Sequence, residues 1–270
     1  MSAPLILPTQ RATSRRPSVL GGYYVGLIAL LYLPIAVLFL FSVNQNTTRA
    51  FPLEGLTLHW YEELFRSEPV LRAARNSLVV AAGSSLAATA LGTMIALLVA
   101  RFQFRAKALL VALAVLPLIV PFVVLGMALF LLFEQALDVH RSLWTVGVAH
   151  TIVALPYTLL IVMARLAGFD PNLEEAAMDL GASYPTVLRR ITLPIIAPAM
   201  LSAWLTAFTV SFDEVALANF LAGTEPTFPV YLFSQLRFAS RLPVMIALAV
   251  LLMIGTLALI FAAERIRRTE

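Results

Sequence analysis

Long apolar runs separated by short polar connections dominate the chain. Six such segments fall at 20–43, 77–100, 108–133, 143–165, 191–212 and 243–263. Each is near the ~20 residues that an α-helix needs to cross ~30 Å of hydrocarbon. The pattern predicts an all-α membrane protein with six transmembrane helices, and an even number places both termini on one side. The first run, GGYYVGLIALLYLPIAVLFLFSV, is longer than the apolar core of a secretory signal and has no small-residue cleavage site behind it, so it reads as a retained span. The layout is then a tail over 1–19, one transmembrane domain over 20–263 and a second tail over 264–270.

Composition narrows the class. Of 270 residues, 60% are hydrophobic and 13% charged, with a mean hydropathy of +0.89, which excludes a soluble enzyme. With no cysteine, disulfides, thiolate metal sites and cysteine nucleophiles are excluded too. Under the six-span reading, twelve of the 19 Lys and Arg residues fall on the side that holds the termini and seven on the other. The positive-inside rule makes the richer side cytoplasmic. The net charge of +4 is thereby explained by topology and anionic lipid headgroups, and no nucleic-acid partner is called for.

Two connections carry structure of their own. The external stretch 44–76 includes LTLHWYEELF, in which Leu58, Tyr61, Leu64 and Phe65 recur at helical spacing and predict a short interfacial helix. The cytoplasmic loop 166–190 is richer. Asp170 reads as an N-cap with Pro171 in the first turn, and Leu173, Ala176, Ala177 and Leu180 form one apolar stripe, leaving Glu174, Glu175 and Asp179 outside it. Gly181 supplies a left-handed stop, and Ser183 with Pro185 opens a second short helix that ends near Arg189 and Arg190. A helix, a turn and a helix projecting from a membrane make a docking surface for another protein; a solvated amphipathic connector has the same composition. Prolines 34, 117, 121, 156, 194 and 198 interrupt the spans and predict kinks.

For a solute path the acidic pair Asp213 and Glu214 stands out. It lies at the outer end of the fifth span, where a carboxylate is costly unless it faces water or a partner, and it could attract an ammonium group. A headgroup-level carboxylate paired with Arg237 or Arg241 is the plainer reading. Asn219 and Trp60 are further candidates, Trp60 because an aromatic face can hold a cation or anchor an interface. His59, His140 and His150 lack metal-ligand spacing and are assigned no chemistry.

The run Glu175-Ala176-Ala177, three residues, Gly181, nine residues, and Ile191-Thr192-Leu193-Pro194 resembles the EAA loop of permease subunits in binding-protein-dependent ABC importers. HWYEELF, RFQFRAKALL, AHTIVALPYTLLIVMARLAGFD and SFDEVALANFLAG are similar to the spermidine/putrescine-type permeases, PotC-like in particular. The resemblance implies the type I importer permease fold in a bacterial inner membrane. It also implies three partners: a second permease forming a heterodimer, two copies of an ATP-binding subunit, and an extracytoplasmic substrate-binding protein. No cofactor is expected on this chain, and ATP with Mg belongs to the partner ATPase, in keeping with the lack of a GxxxxGK[ST] loop here. Glu175, Ala176, Ala177, Asp179, Gly181 and Ala182 would form the ATPase-coupling surface. Polyamine permeases of this type often carry an acid after the proline of the third span; here Pro121 is followed by Phe122. Other small solutes of the same family (opines, amino-acid derivatives, aminophosphonates, ferric iron) are therefore alternatives to a polyamine. A secondary transporter would leave the EAA-like loop unexplained, an embedded enzyme would need a catalytic cluster that is lacking, and a permease half without substrate contacts is a third alternative.

Overall fold

A computed structural model describes residues 19–46 and 55–267; the tail predicted over 1–19 lies almost wholly outside them, as do residues 268–270. In the described residues the secondary structure is helical apart from one antiparallel bridge between Asn44 and Leu56. In chain order the helices are α1 (Val19–Ser42), α2 (His59–Arg66), α3 (Glu68–Arg101), α4 (Lys107–Val115), α5 (Phe122–Phe130), α6 (Leu143–Ala167), α7 (Asn172–Asp179), α8 (Tyr184–Val187), α9 (Leu193–Phe212), α10 (Ala216–Leu221), α11 (Phe228–Gln235) and α12 (Leu242–Arg267).

Four of the described helices are long and apolar enough to span a membrane: most of α1, then α3, α6 and a continuous helix from Tyr184 to Phe212. The third predicted segment, 108–133, is not one rod. Pro117 opens a 3-10 turn and Pro121 sits immediately before α5, so the chain breaks and its two halves meet at 104°, forming either a fifth, broken span or a re-entrant loop. Proline removes an N–H from the helix ladder and biases the residue before it away from helical angles, and two prolines four residues apart do this twice. The sixth predicted segment belongs to α12; among the described side chains the apolar helical stretch there, counted from the 3-10 turn Ala239–Arg241 that precedes α12, is Ala239–Gly255, shorter than a span.

The chain divides into two compact units. One unit runs up to Leu64 and resumes at Ala239. Here α1 packs against α12, and α1 is apolar on every side with little of its surface covered, as suits a lipid-facing helix. In α2 the buried residues are Trp60 and Leu64, while Leu58 and Phe65, predicted to share the apolar stripe, are exposed. The register is fixed by polar anchors that helical periodicity does not register: Trp60 Nε1 donates to the Asn44 carbonyl at 2.7 Å and Tyr61 Oη to Ser42 Oγ at 2.9 Å.

The other unit, Phe65–Phe238, is built on the mutual packing of α3, α6 and α9. The buried face of α3 consists largely of small side chains, among them Ala73, Ser77, Ala81, Ser84, Ala88, Gly92 and Ala96. In lipid, helices associate by close backbone approach rather than by hydrophobic expulsion, and small residues permit that approach. Gly92 shows the need. A Cβ there would collide with the Thr158 side chain and lie 2.9 Å from the Leu159 backbone nitrogen. Thr158 donates its hydroxyl to the Ala88 carbonyl at 2.8 Å, tying α6 to α3 at the same level. Nearer the α10 end, Val80, Leu129, Val146, Val153, Leu217 and Leu221 form an apolar cluster, against which Phe122 packs.

Candidate functional site: the α7 loop and the acidic end of α9

Asp170 Oδ1 accepts the Asn172 N–H at 3.0 Å and starts α7 two residues beyond the aspartate. The stop is made at Gly181 (φ +88°), where Ala182 N–H donates to the Ala177 carbonyl at 3.0 Å and Gly181 N–H to the Met178 carbonyl at 2.8 Å. These two bonds form the Schellman arrangement, which favours glycine because other side chains meet their own backbone at positive φ. Ser183 precedes α8 as predicted, but the helical run that α8 opens does not stop near Arg189. It continues through a π turn at Leu188–Thr192 straight into α9.

The loop's outer surface combines Glu175, Ala176 and Asp179, all exposed, with Leu173, Met178 and Leu180, the last of these 90% exposed. Gly181 is also exposed, and Ala177 and Ala182 are half-buried. The apolar stripe read from sequence is therefore in large part exposed, with only Ala177 half-buried. The side of α7 that is held down carries a charge instead: Glu174, read as outside the stripe, is buried. Arg101, the last residue of α3, donates from Nη2 to Glu174 Oε1 at 3.0 Å, with its Nε 2.9 Å from Oε2. Thr192 donates to Oε1 at 2.6 Å, and the Arg101 guanidinium lies 4.9 Å above the Phe169 ring. One carboxylate thus joins α3, α7 and the π turn leading into α9. The pairing supplies the opposite charge that a buried carboxylate requires, and Arg101 Nη2 and Thr192 both donate to its Oε1.

At the other end of α9 the two acids part company. Glu214 is buried and caps α10: Oε1 accepts the Ala216 N–H at 2.9 Å, and Oε2 accepts those of Leu217 and Ala218 at 2.8 and 3.1 Å. These are first-turn amides without partners inside the helix. His150 Nε2 faces Oε2 at 3.6 Å, and its Nδ1 lies 2.8 Å from Ser211 Oγ, which in turn is 2.8 Å from Ser84 Oγ. A buried polar chain therefore links α3, α6, α9 and α10. Sequence reading assigned His150 no role, and its lack of ligand spacing gave no signal, because its partners lie 61 and 64 residues away. Arg237, considered as a partner for the acids, donates instead to the Ser234 carbonyl at 3.0 Å.

Asp213, by contrast, is exposed, as is Asn219. Apolar neighbours strip part of its hydration and raise its carboxyl above the usual 3.8. It ends a row along α9, since Ser202, Thr206, Thr209 and Asp213 follow at i, i+4, i+7 and i+11 on one side of the helix. The three hydroxyls donate to the carbonyls of Pro198, Ser202 and Leu205 at 3.0, 2.9 and 3.0 Å. Their oxygens thus keep only acceptor capacity on the outer side. Phe122 is half-buried against the apolar cluster. Among the described residues no three metal-ligating side chains converge.

The family described as binding-protein-dependent transport system inner membrane component matches residues 88–269. The chain belongs to this family. It is the permease component of an ABC importer. Along most of its length it is similar to the spermidine/putrescine transport system permease protein PotC of Escherichia coli K12, at 32% identity, with 93% of this chain and 94% of PotC aligned. It is 35% identical to the putrescine transport system permease protein PotI of the same organism, over 92% of this chain and 88% of PotI. In fold it matches a subunit of a bacterial ABC transporter involved in the import of the acidic polysaccharide alginate (TM-score 0.73, 18% identity, 93% and 94% of the two chains). It also matches the MetNI methionine ABC transporter (TM-score 0.62, 21% identity, 75% and 98%).

Proposed function

We propose that this permease forms, with a second and different permease, the path by which a polyamine such as spermidine or putrescine crosses the inner membrane. On this reading both termini are cytoplasmic, six helical segments traverse the bilayer, an extracytoplasmic binding protein delivers the solute and a pair of ATP-binding subunits with ATP and Mg drives transport. The observation that carries the reading is the row from Ser202 to Asp213, exposed except at half-buried Thr206. Three oxygens with acceptor capacity and a carboxylate short of hydration suit a chain of ammonium donors, and an exposed polar row on a membrane helix calls for water, solute or a partner rather than lipid. The similarity to PotC and PotI supports the same substrate class.

The deciding experiment measures ATPase activity of the reconstituted complex against binding proteins loaded with different solutes. Stimulation by a spermidine- or putrescine-loaded protein supports the reading; stimulation by an opine- or iron-loaded protein alone rejects it. Asp213→Asn should leave the protein folded and lower polyamine uptake about tenfold or more, the equivalent of at least ~1.5 kcal/mol for a hydrogen bond to a charged group. Unchanged uptake in proteoliposomes would remove Asp213 from the path.

The exposed surface of α7 fits the ATPase, with apolar Leu173, Met178 and Leu180 set among Glu175 and Asp179. Glu175→Lys, at an exposed position, should preserve membrane abundance and abolish stimulation of ATP hydrolysis by the loaded binding protein. Gly181→Asp adds backbone strain at a positive φ, at ~1–2 kcal/mol, and should uncouple in the same way. Normal coupling at normal abundance in both variants would take the loop out of the interface.

A further inference from the structure

The turn Phe102–Ala106 leads from α3 into α4 and brings two cations, Arg105 and Lys107, to one end of a groove. The groove has a volume of about 910 Å³ and runs between α3, α4 and α6. Its walls are apolar, with Val111 and Val115 of α4 opposite Leu160 of α6, while Gln103 joins the two cations at the mouth. Val115 lies eight residues beyond Lys107 on the same helix, so at 1.5 Å per residue the apolar wall extends ~12 Å past the cationic end. Among the described residues neither cation has an ion-pair partner. A second cavity of about 330 Å³ shares Val99, Lys107 and Met163 with the first and reaches Arg101, the guanidinium that holds Glu174.

We propose that this groove is a binding site for an anionic glycerophospholipid of the inner leaflet, with its phosphate held by Arg105 and Lys107 and an acyl chain lying along α4 and α6. The ligand has to be anionic at one end and alkyl for at least ~12 Å, which fits a lipid and not a free anion. The site rests on the reading that this turn faces the cytoplasm. Its place next to Arg101 puts the headgroup beside the residue that fastens α7 to α3, so the charge of the inner leaflet acts on the coupling loop.

The test uses the whole complex in nanodiscs, where both leaflets are accessible, with retained lipid read by native mass spectrometry after exchange between phosphatidylglycerol and phosphatidylcholine. The wild type should retain phosphatidylglycerol preferentially. Each cation near an anionic headgroup is worth about fivefold in affinity, so Arg105→Gln with Lys107→Gln should reduce that preference about thirtyfold. Val115→Trp, which keeps both charges and fills the groove, should also expel the lipid. Equal retention of the two lipids, an undiminished preference in the double variant, or displacement by inorganic phosphate alone would each overturn the proposal. A cysteine introduced at Ala106, unique in this cysteine-free chain, reports by labelling whether the turn is cytoplasmic, so a failure of topology is distinguished from a failure of lipid binding.

Discussion

Replacing Glu174 with glutamine should break transport while leaving the partner's basal ATP hydrolysis in place. The substitution leaves the Arg101 guanidinium in a pocket where its side chain is only 17% exposed and the carboxylate it pairs with is 11% exposed. Removing one member of such a pair costs ~3–5 kcal/mol, because the remaining charge has neither water nor a counterion. A loss of ~3 kcal/mol lowers the population of the docked loop by about a hundredfold. Stimulation of ATPase activity by the loaded binding protein should then disappear and uptake fall with it. Replacing both residues by leucine should recover much of the lost thermal stability, since an apolar pair of similar volume is often neutral at a buried site. Wild-type melting and wild-type uptake in the Glu174→Gln complex would show that the pair does not hold the loop.

The second large effect is expected at Glu214, and it should be structural. Glu214→Ala leaves three amides at the start of α10 without an acceptor, at ~1–3 kcal/mol for each one left buried and unsatisfied. It also leaves His150 facing an empty position. The protein should melt at a markedly lower temperature or fail to accumulate in the membrane. Glu214→Gln, which retains one acceptor oxygen, should lie between Ala and the wild type. The neighbouring Asp213→Asn should show the reverse profile, with stability kept and uptake lowered. If Glu214→Ala melted like the wild type yet lost uptake, Glu214 would belong to the solute path after all.

Much of the architecture is readable along the chain because it is written in local terms. Spanning length and the Gly181 stop both depend on residues within a few turns of one another. The same holds for the Glu175 to Pro194 pattern that marks the family. What eluded sequence reading is pairwise and distant. Glu174 sits beside Glu175 and Asp179 with nothing in its own helix to distinguish it; it is buried because Arg101, 73 residues earlier, meets it. The apolar stripe of α7 is legible as a stripe, but periodicity locates a face without saying whether this chain or another protein covers it. Asp213 and Glu214 are adjacent, yet a turn at the end of α9 sends one outward and the other into the start of α10. The 104° break had a legible signal in Pro117 and Pro121, but proline spacing alone does not separate a kink from a reversal.

The absence of any loop between α8 and α9 has a mechanical consequence. The helix from Tyr184 to Phe212 contains 29 residues, which at 1.5 Å each make a rod ~43 Å long. One end adjoins the loop that carries Glu175 and Gly181, and the other end carries Asp213. Pivoted near the loop, a lever of that length converts a tilt of ~5° into an excursion of ~4 Å at the far tip, about the thickness of an alkyl chain. A small push on the loop would thereby be geared up into a larger movement at Asp213.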